Sequence, residues 1–337
     1  MSDKLVVLYT PFAEDWHSLI EELAGAEVHC KYFNDRKRHF WQRVLKRPNL
    51  NTAIAGMRAA LYAKRHNARL LVTVGPRFSL WCGLFCRLFR ITVDHFAFAF
   101  NFAELPTGWK RKIFSFGFQQ LKSLRVPSRI EKSLYSTYFR IPERIIEVRL
   151  WGINIPEVSA DPPVLDRPYV SAVGGNARDY VTLLGVARLL GSIPMVWVVR
   201  PENIAGLQLP PHVLALCNIS YPHAMNVVAN SRLTVVPLKD SNVPCGHVTL
   251  VSGMLLKKAV VVTNSAGVRD YVRDGWNGLL CEPHSATDMA EKIHTLWERP
   301  ETARVLGENG FRFASEYCSE QSVRDDLSEI LCSYSLN

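Results

Sequence analysis

Long apolar segments are absent from this 337-residue chain. No run of 18 apolar residues occurs, which argues against a membrane-spanning helix. The first residues lead directly into the apolar stretch Leu5–Tyr9, without the longer apolar segment of a signal peptide. The eight cysteines form no CxxC pair and no regular framework, as is typical of reduced thiols in the cytosol. We therefore expect a cytoplasmic protein without a transmembrane segment.

Several well-known catalytic motifs are missing as well. The sequence has no Walker A motif, no Gly-x-Ser-x-Gly elbow and no spacing typical of metal ligands. A DxD carboxylate pair that could chelate a metal–diphosphate is also absent. These absences argue against a P-loop nucleotidase and an α/β-hydrolase. We predict no bound metal and no cofactor.

The charge is distributed unevenly along a chain of ordinary globular composition. The sequence is 48% hydrophobic and 21% charged, and its net charge is +9. Residues 1–155 carry a net charge of +13 and residues 156–337 a net charge of −4. A basic half of this kind suits nucleic acid, an anionic substrate or the anionic leaflet of a membrane. The two halves are therefore expected to face different partners.

Aromatic residues are interleaved with the cations of the basic half. Six Lys or Arg residues lie between Arg36 and Arg47, the stretch 78–89 is apolar on nearly every face, and a second mixed cluster follows at 109–114. Each cluster is compatible with a solvated or buried helix or with a helix at a lipid headgroup layer. Because no module for stacking single-stranded nucleic acid is present, an anionic membrane is the preferred partner. The predicted membrane residues are Arg36, Lys37, Arg38, Phe40, Trp41, Arg43, Trp109, Lys110, Arg111 and Lys112.

Apolar strand-like runs alternate with amphipathic helical stretches along the chain, which predicts an α/β protein with parallel sheets. The run Ile91–Phe98 is one predicted strand, and Asn218–Ser220 is a short one in the second half. Four prolines between Pro156 and Pro168 indicate a linker. The predicted organisation is a domain over 1–155, a linker over 156–168, a second domain over 169–315, and a helix within 316–337 that crosses back to the first domain.

The stretch from Asn242 to Asp274 is the most informative part of the sequence. It predicts a loop ending in Cys245-Gly246-His247, a helix over 248–256, a strand Ala259–Thr263 and a second helix opened at 264–267. Both helices would begin at the carboxyl ends of parallel strands, where open sheets bind ligands. The unpaired N–H groups at a helix start favour an anion, so a phosphate or diphosphate is expected near Gly246.

This stretch resembles the donor-binding segment of GT-B glycosyltransferases, most closely the retaining family 4, or glycosyl transferases group 1. The similarity rests on the helix–strand pattern and on the tail 267–278. It implies two Rossmann-like doubly wound domains facing each other across a cleft. In that family two glutamates eight positions apart are usual, and here Pro244 and Ser252 take their places. The second glutamate binds the ribose, so the nucleotide must be held differently or more weakly.

The same resemblance assigns roles elsewhere in the chain. The loop 174–180 would bind the donor diphosphate through Arg178, its only cation, because Asp179 stands where the family carries a lysine. His95, after a strand and facing the cleft, would contact the donor sugar or acceptor as the catalytic residue. Asn101 and Glu104 are acceptor-binding candidates. The donor-binding candidates are Gly174, Gly175, Arg178, Tyr221, Pro222, Gly246, His247, Val248, Thr249 and Ser252.

The resulting hypothesis is a peripheral membrane glycosyltransferase that moves a sugar from a nucleotide-diphosphate sugar to a lipid-linked or glycolipid acceptor at the cytoplasmic face. Retention of configuration and a place in bacterial polysaccharide or glycolipid assembly are implied by the resemblance only. The alternative is a degenerate, non-catalytic GT-B partner that binds membrane or another transferase. Loss of the two glutamates keeps that alternative open.

Overall fold

Two six-stranded parallel β-sheets organise the protein in a computed structural model that describes residues 6–9, 29–33, 49–102, 104–239 and 244–335. The chain divides into one unit made of Met1–Arg149 and Val323–Asn337 and a second unit made of Leu150–Ser322. The basic stretch 34–47 lies outside the described residues. No helix in the described part of the chain is both long and apolar enough to cross a bilayer.

The sheet of the first unit has the strand order β2-β1-β3-β4-β5-β6. Its neighbouring strands are all parallel, so helical connections cover its faces. The strands β3 and β4 are almost completely buried, and most of their side chains are apolar. The strands are β1 (Val6–Tyr9), β2 (His29–Tyr32), β3 (Leu70–Val74), β4 (Asp94–Phe98), β5 (Leu121–Val126) and β6 (Ile146–Val148).

The described helices of the first unit pack on both faces of this sheet. One core cluster joins the small residues of the first helix to the second helix and to β3, and another joins β3 and β4 to the C-terminal helix. Because Leu327, Ile330 and Leu331 lie in the second cluster, the C-terminal helix is part of the core of this unit. The helices are α1 (Asn49–Arg65), α2 (Pro76–Leu88), α3 (Gly108–Phe118), α4 (Arg129–Phe139) and, at the C-terminus, α10 (Glu320–Ser335).

The sheet of the second unit has the order β12-β11-β10-β7-β8-β9, again with all neighbours parallel. The strands are β7 (Val170–Val173), β8 (Met195–Val199), β9 (Val213–Cys217), β10 (Leu233–Val236), β11 (Ala259–Thr263) and β12 (Leu279–Cys281). The helices are α5 (Tyr180–Leu190), α6 (Tyr221–Ala229), α7 (His247–Leu255), α8 (Ala286–Glu298) and α9 (Pro300–Tyr317).

The strand order of the second unit reverses direction between β7 and β10. In a doubly wound sheet, the loops that leave the carboxyl ends of the two strands at such a point separate, and the gap between them receives ligands. The glycine turn at Gly174 follows β7, and the loop that leads to Gly246 follows β10. The topology therefore places these two segments at the position where a ligand is expected.

Three local predictions need correction. The strand that contains His95 begins at Asp94 rather than Ile91, because residues 91–93 follow the turn that ends α2. No strand forms over Asn218–Ser220, since Asn218 has a positive φ of 56° and ends β9. The segment after β11 forms only a short 3₁₀ turn, Val268–Asp270, preceded by Gly267 with φ 82°.

Candidate functional site

The start of helix α7 is open to a ligand. Gly246 precedes the helix with φ 90° and ψ −5°, and no side chain caps the first turn. These dihedrals lie in the left-handed region, which only glycine adopts at little cost. The first N–H groups of a nine-residue helix then carry the positive end of its dipole. This geometry suits a phosphate, and a second feature of the site supports that assignment.

That feature is Arg178, which lies under the same helix start. Its side chain is 6% exposed, Nη1 donates to the Asn176 carbonyl at 2.9 Å, and Nη2 donates to Thr249 Oγ1 at 2.9 Å. Nε has no hydrogen-bond partner among the described residues. Burial lowers the pKa of Arg178 below its usual value. A buried cation with an unused donor beside a helix start is well placed to bind an anion.

The glycine turn after β7 leaves room for this guanidinium. Gly174 has φ 126°, and a Cβ added to it would lie 2.7 Å from Arg178 Nη2. A Cβ added to Gly246 would lie 3.4 Å from Arg178 Nη1. The Tyr180 hydroxyl donates to the Gly174 carbonyl at 2.6 Å and fixes the turn. The two glycines therefore flank Arg178, and the structure brings together three residues that the sequence predicted to bind the donor.

Gly246→Val is expected to weaken nucleotide binding at least tenfold. Valine disfavours a positive φ, a strain of about 1–3 kcal/mol, and its Cβ would lie 2.7 Å from Leu238 Cδ2. Calorimetric titration measures the affinity. Gly191→Val is the matched control, because Gly191 also has a positive φ, of 45°, but has open space around it. Equal nucleotide affinity of the two variants would show that the anion does not bind at this helix start.

Asp179, which takes the place of the lysine of the resembled family, has a structural role. Its carboxylate accepts hydrogen bonds from the Thr182 N–H at 3.0 Å, from Thr182 Oγ1 at 2.7 Å and from His284 Nδ1 at 3.1 Å. Burial raises the pKa of this carboxyl, but the hydrogen bonds outweigh burial and the pKa lies below its ordinary value. Asp179 therefore caps helix α5, and its negative charge is engaged within the fold.

His247 is the first residue of α7 and is buried beneath it. Its ring stacks on Tyr271 with centroids 4.7 Å apart, and Nε2 has no hydrogen-bond partner in the described part of the chain. Burial, together with the neighbouring charge of Arg178, lowers the pKa of His247 to about 4. The imidazole is therefore neutral at pH 7. A neutral ring with an unused nitrogen can exchange a hydrogen bond with a ligand without adding charge.

Ser252 and Tyr221 are joined to each other. The Tyr221 hydroxyl lies 3.1 Å from Ser252 Oγ, and Ser252 Oγ donates to the Val248 carbonyl at 2.7 Å. Tyr221 and Pro222 form the first turn of α6, and the half-exposed tyrosine ring remains accessible. The Tyr221 side chain thus places a second hydroxyl beside the short side chain of Ser252. The hydroxyl pair provides neutral hydrogen bonding there.

His95 lies in the core of the first unit, whereas the sequence predicted an accessible residue. It is the second residue of β4 and pairs with Leu71 and Leu121, so about 10 Å separates it from the carboxyl end of its strand. Its side chain is 1% exposed, and Nε2 lies 2.8 Å from Thr73 Oγ1. Burial lowers the pKa of His95 to about 3. His95 is therefore a neutral core residue, and this buried position does not support the predicted contact with a donor sugar or acceptor.

The two buried histidines make stability depend on pH. Unfolded histidines have a pKa of about 6.5, so below that pH the unfolded chain binds protons that His95 and His247 do not take up. The free energy of unfolding should fall between pH 7 and pH 5 by about 2 kcal/mol for each of them. Denaturant titrations at several pH values measure this slope. His95→Gln or His247→Gln should flatten it, whereas exposed His294→Gln should not, and an unchanged slope in all variants would contradict the assignment.

The acceptor candidates occupy different surroundings. Asn101 Nδ2 donates to Glu131 Oε1 at 2.7 Å, and Glu131 is fully buried and also accepts from Ser128 and Tyr135. Glu104 lies nearby in the chain and is exposed. Because Asn101 supports a buried carboxylate, its main contact is within the fold. Only Glu104 of this pair is freely accessible.

The predicted membrane residues 109–112 all lie near the start of α3. Trp109 is 68% exposed, and Lys110 and Lys112 are exposed beside it. Arg111 differs from them, because its Nε donates to the Tyr138 carbonyl at 2.9 Å and its guanidinium lies over the Tyr138 ring. The residues predicted between 36 and 43 lie outside the described residues, so the structure does not bear on them.

Sequence reasoning missed Arg200 and Asn203. Arg200 directly follows β8 and its side chain lies against Gly175, where an added Cβ would be 2.8 Å from Arg200 Nε. Asn203 Nδ2 donates to the Gly175 carbonyl at 3.0 Å. The available signal was the position of an arginine immediately after the apolar strand MVWVV. The carboxyl ends of the parallel strands β7 and β8 lie at the same edge of the sheet. A residue directly after β8 is therefore expected near the glycine turn that follows β7.

Comparisons with known proteins agree with this architecture. Residues 201–313 match the family model described as glycosyl transferases group 1. An uncharacterised glycosyltransferase of Methanocaldococcus jannaschii is 31% identical over 122 residues, which is 36% of this chain and 34% of that relative. The chain therefore matches only about a third of the length of that protein.

Solved structures extend the similarity to the complete fold. Sucrose-phosphate synthase of Thermosynechococcus elongatus superposes with a TM-score of 0.75 at 16% identity, covering 99% of this chain and 100% of that one. HepE of Anabaena, solved with UDP and glucose, superposes with a TM-score of 0.67 at 13% identity over 98% and 100%. The fold is GT-B, as predicted from the sequence, and residues 201–313 carry the glycosyl transferases group 1 segment.

Proposed function

We propose that this protein is a glycosyltransferase that takes a sugar from a nucleotide-diphosphate sugar and transfers it to a lipid-linked or glycolipid acceptor. The observation that carries the proposal is the buried Arg178 beneath the uncapped start of α7, between Gly174 and Gly246, at the switch point of the second sheet. UDP bound to the structurally similar HepE supports a nucleotide ligand for this fold. The donor diphosphate would lie on the helix start and on Arg178.

The site can assist departure of the nucleotide diphosphate. Breaking the anomeric C–O bond places negative charge on that diphosphate. Hydrogen-bond donors that are held in position before the reaction stabilise this charge where it develops. They lower the barrier most if they bind the transition state more strongly than the ground state. Arg178 is held by Asn176 and Thr249, so little rearrangement is needed. Retention of configuration is proposed from the resemblance to family 4.

A lipid acceptor is proposed from the exposed face of α3. Trp109, Ile113 and Phe116 recur at helical spacing and are all exposed, and Leu88 at the end of α2 is 69% exposed. Arg87 lies 3.7 Å above the Phe116 ring. Aromatic side chains beside Lys110 and Lys112 suit the headgroup layer of an anionic bilayer. The proposed location is the cytoplasmic face of the membrane, in bacterial polysaccharide or glycolipid assembly.

Replacing Trp109, Ile113 and Phe116 together with serine should lower partitioning onto anionic vesicles at least tenfold, because three apolar side chains no longer enter the headgroup layer. Vesicle sedimentation gives the partition coefficient. The matched control carries serine at Val181, Leu189 and Val305, three exposed apolar residues elsewhere in the chain. If the α3 variant and the parent sediment equally with the vesicles, this face of α3 does not bind the membrane.

A transfer assay tests the function itself. Radiolabelled UDP-, GDP-, ADP- and dTDP-sugars are incubated with the protein and with vesicles of bacterial polar lipids, and the label is then partitioned between organic and aqueous phases. The proposal expects one donor to deliver label to the organic phase. Binding of a nucleotide without consumption of any donor would instead support the degenerate, non-catalytic partner. Label released only as free sugar would contradict the lipid acceptor.

A further inference from the structure

We infer that Arg200 is a second cation for the donor diphosphate. It supplies the positive charge that is missing because Asp179 stands in place of a lysine. This inference rests on the proposed function, since it assigns another residue to the same anion site. It concerns the residue that directly follows the strand β8, and not the loop that holds Arg178. The structure therefore forms the cationic site from two strands.

The first observation is how closely Arg200 lies on the glycine turn. A Cβ added to Gly175 would be 2.8 Å from each of Cγ, Cδ and Nε of Arg200. A Cβ added to the preceding Gly174 would be 2.7 Å from Arg178 Nη2. The absence of a Cβ at Gly174 thus makes space for the Arg178 side chain, and its absence at Gly175 makes space for the Arg200 side chain. Two guanidinium groups are held against one short turn at the carboxyl edge of the sheet.

The second observation is that the base of Arg200 is fixed. Its backbone N–H donates to Asn203 Oδ1 at 3.2 Å, and Asn203 Nδ2 donates to the Gly175 carbonyl at 3.0 Å. Asn203 therefore ties the end of β8 to the turn. This tie positions the arginine stem over Gly175 before any ligand arrives, which reduces the entropy lost on binding.

The third observation is that the charge of Arg200 is available. Arg200 is exposed, and no described side chain forms an ion pair or a hydrogen bond with its guanidinium. Asp179, the acid nearest in the chain to this turn, is already engaged by Thr182 and His284. A diphosphate carries enough negative charge to bind both guanidinium groups. Arg178 would bind from beneath the helix start and Arg200 from the opposite side of the turn.

Arg200→Gln tests this inference, since glutamine retains much of the stem over Gly175 and removes the charge. Calorimetric titration with UDP, GDP, ADP and dTDP first identifies the nucleotide that the unaltered protein binds. The variant should bind that nucleotide about tenfold more weakly, as expected for one charge-assisted contact, and its affinity should depend less on salt. Arg200→Lys should lie between the two. The matched control is Arg188→Gln on the exposed surface of α5, which should stay within twofold of the parent.

The outcomes separate the two claims. If the folded parent binds none of the four nucleotides, the proposed donor site fails and this inference fails with it. If the parent binds one nucleotide and Arg200→Gln binds it equally well at low and high salt, only the inference is overturned. A tenfold loss with unchanged melting temperature supports it, because a purely structural role would lower stability instead.

Discussion

Arg178→Met should weaken binding of a nucleoside diphosphate about a hundredfold. Hydrogen bonds to charged groups contribute about 1.5–3 kcal/mol each, and a guanidinium can offer two to one phosphate. The unused Nε of Arg178 and its fixed position between Gly174 and Gly246 indicate that such contacts form without rearrangement. Isothermal titration of the parent and the variant with the same nucleotide measures the loss.

Methionine is chosen because it fills a similar volume and can occupy a buried position without charge. Replacement of a buried cation by an apolar side chain is often tolerated by the fold, so the melting temperature should change little. Arg188→Met, on the exposed surface of α5, removes the same charge and should bind the nucleotide like the parent. A loss of less than threefold for Arg178→Met would show that the anion lies elsewhere.

Asp326→Ala should lower the free energy of unfolding of the first unit by about 3 kcal/mol. Asp326 on α10 receives two hydrogen bonds from Arg125 on β5, from Nε at 3.0 Å and Nη2 at 3.2 Å. Both side chains are about 5% exposed. Removal of one partner of a buried ion pair leaves the other charge without compensation, which costs about 3–5 kcal/mol. Glu147, 3.5 Å from Arg125, reduces the cost only in part because it is half-exposed.

The neighbouring residue offers a close control for this prediction. Asp325 precedes Asp326 on the same helix and is exposed, so Asp325→Ala should change the stability by less than about 0.5 kcal/mol. Urea denaturation followed by circular dichroism gives both values. Equal stability of the two variants would mean that the Arg125 pair does not anchor the C-terminal helix.

The strands and helices were largely predictable because their patterns are strong. The apolar run Ala259–Thr263 appears in the structure with the predicted bounds. Helix α7 was also placed within one residue at each end. Continuous apolar runs between helical stretches leave few arrangements other than a parallel sheet. The doubly wound order then follows from chain connectivity.

The site was predictable only where it depends on local sequence. Gly246 and Arg178 follow strands, and the rule on the carboxyl ends of strands points to both. Arg200 was missed because its contact with Gly175 joins residues 25 positions apart, although its place directly after β8 was a usable signal. His95 was misplaced because its strand begins later than the apolar run suggests, which moves the ring into the core.

The most direct measurement of the central claim is a calorimetric and thermal-shift titration of the folded protein with UDP, GDP, ADP and dTDP. A ligand that binds the native state must raise its melting temperature. The site at Gly246 and Arg178 predicts that at least one nucleotide binds with measurable heat and stabilises the protein. Absence of both effects with all four, in protein shown by circular dichroism to be folded, would contradict a nucleotide-sugar donor and leave the non-catalytic partner as the better account.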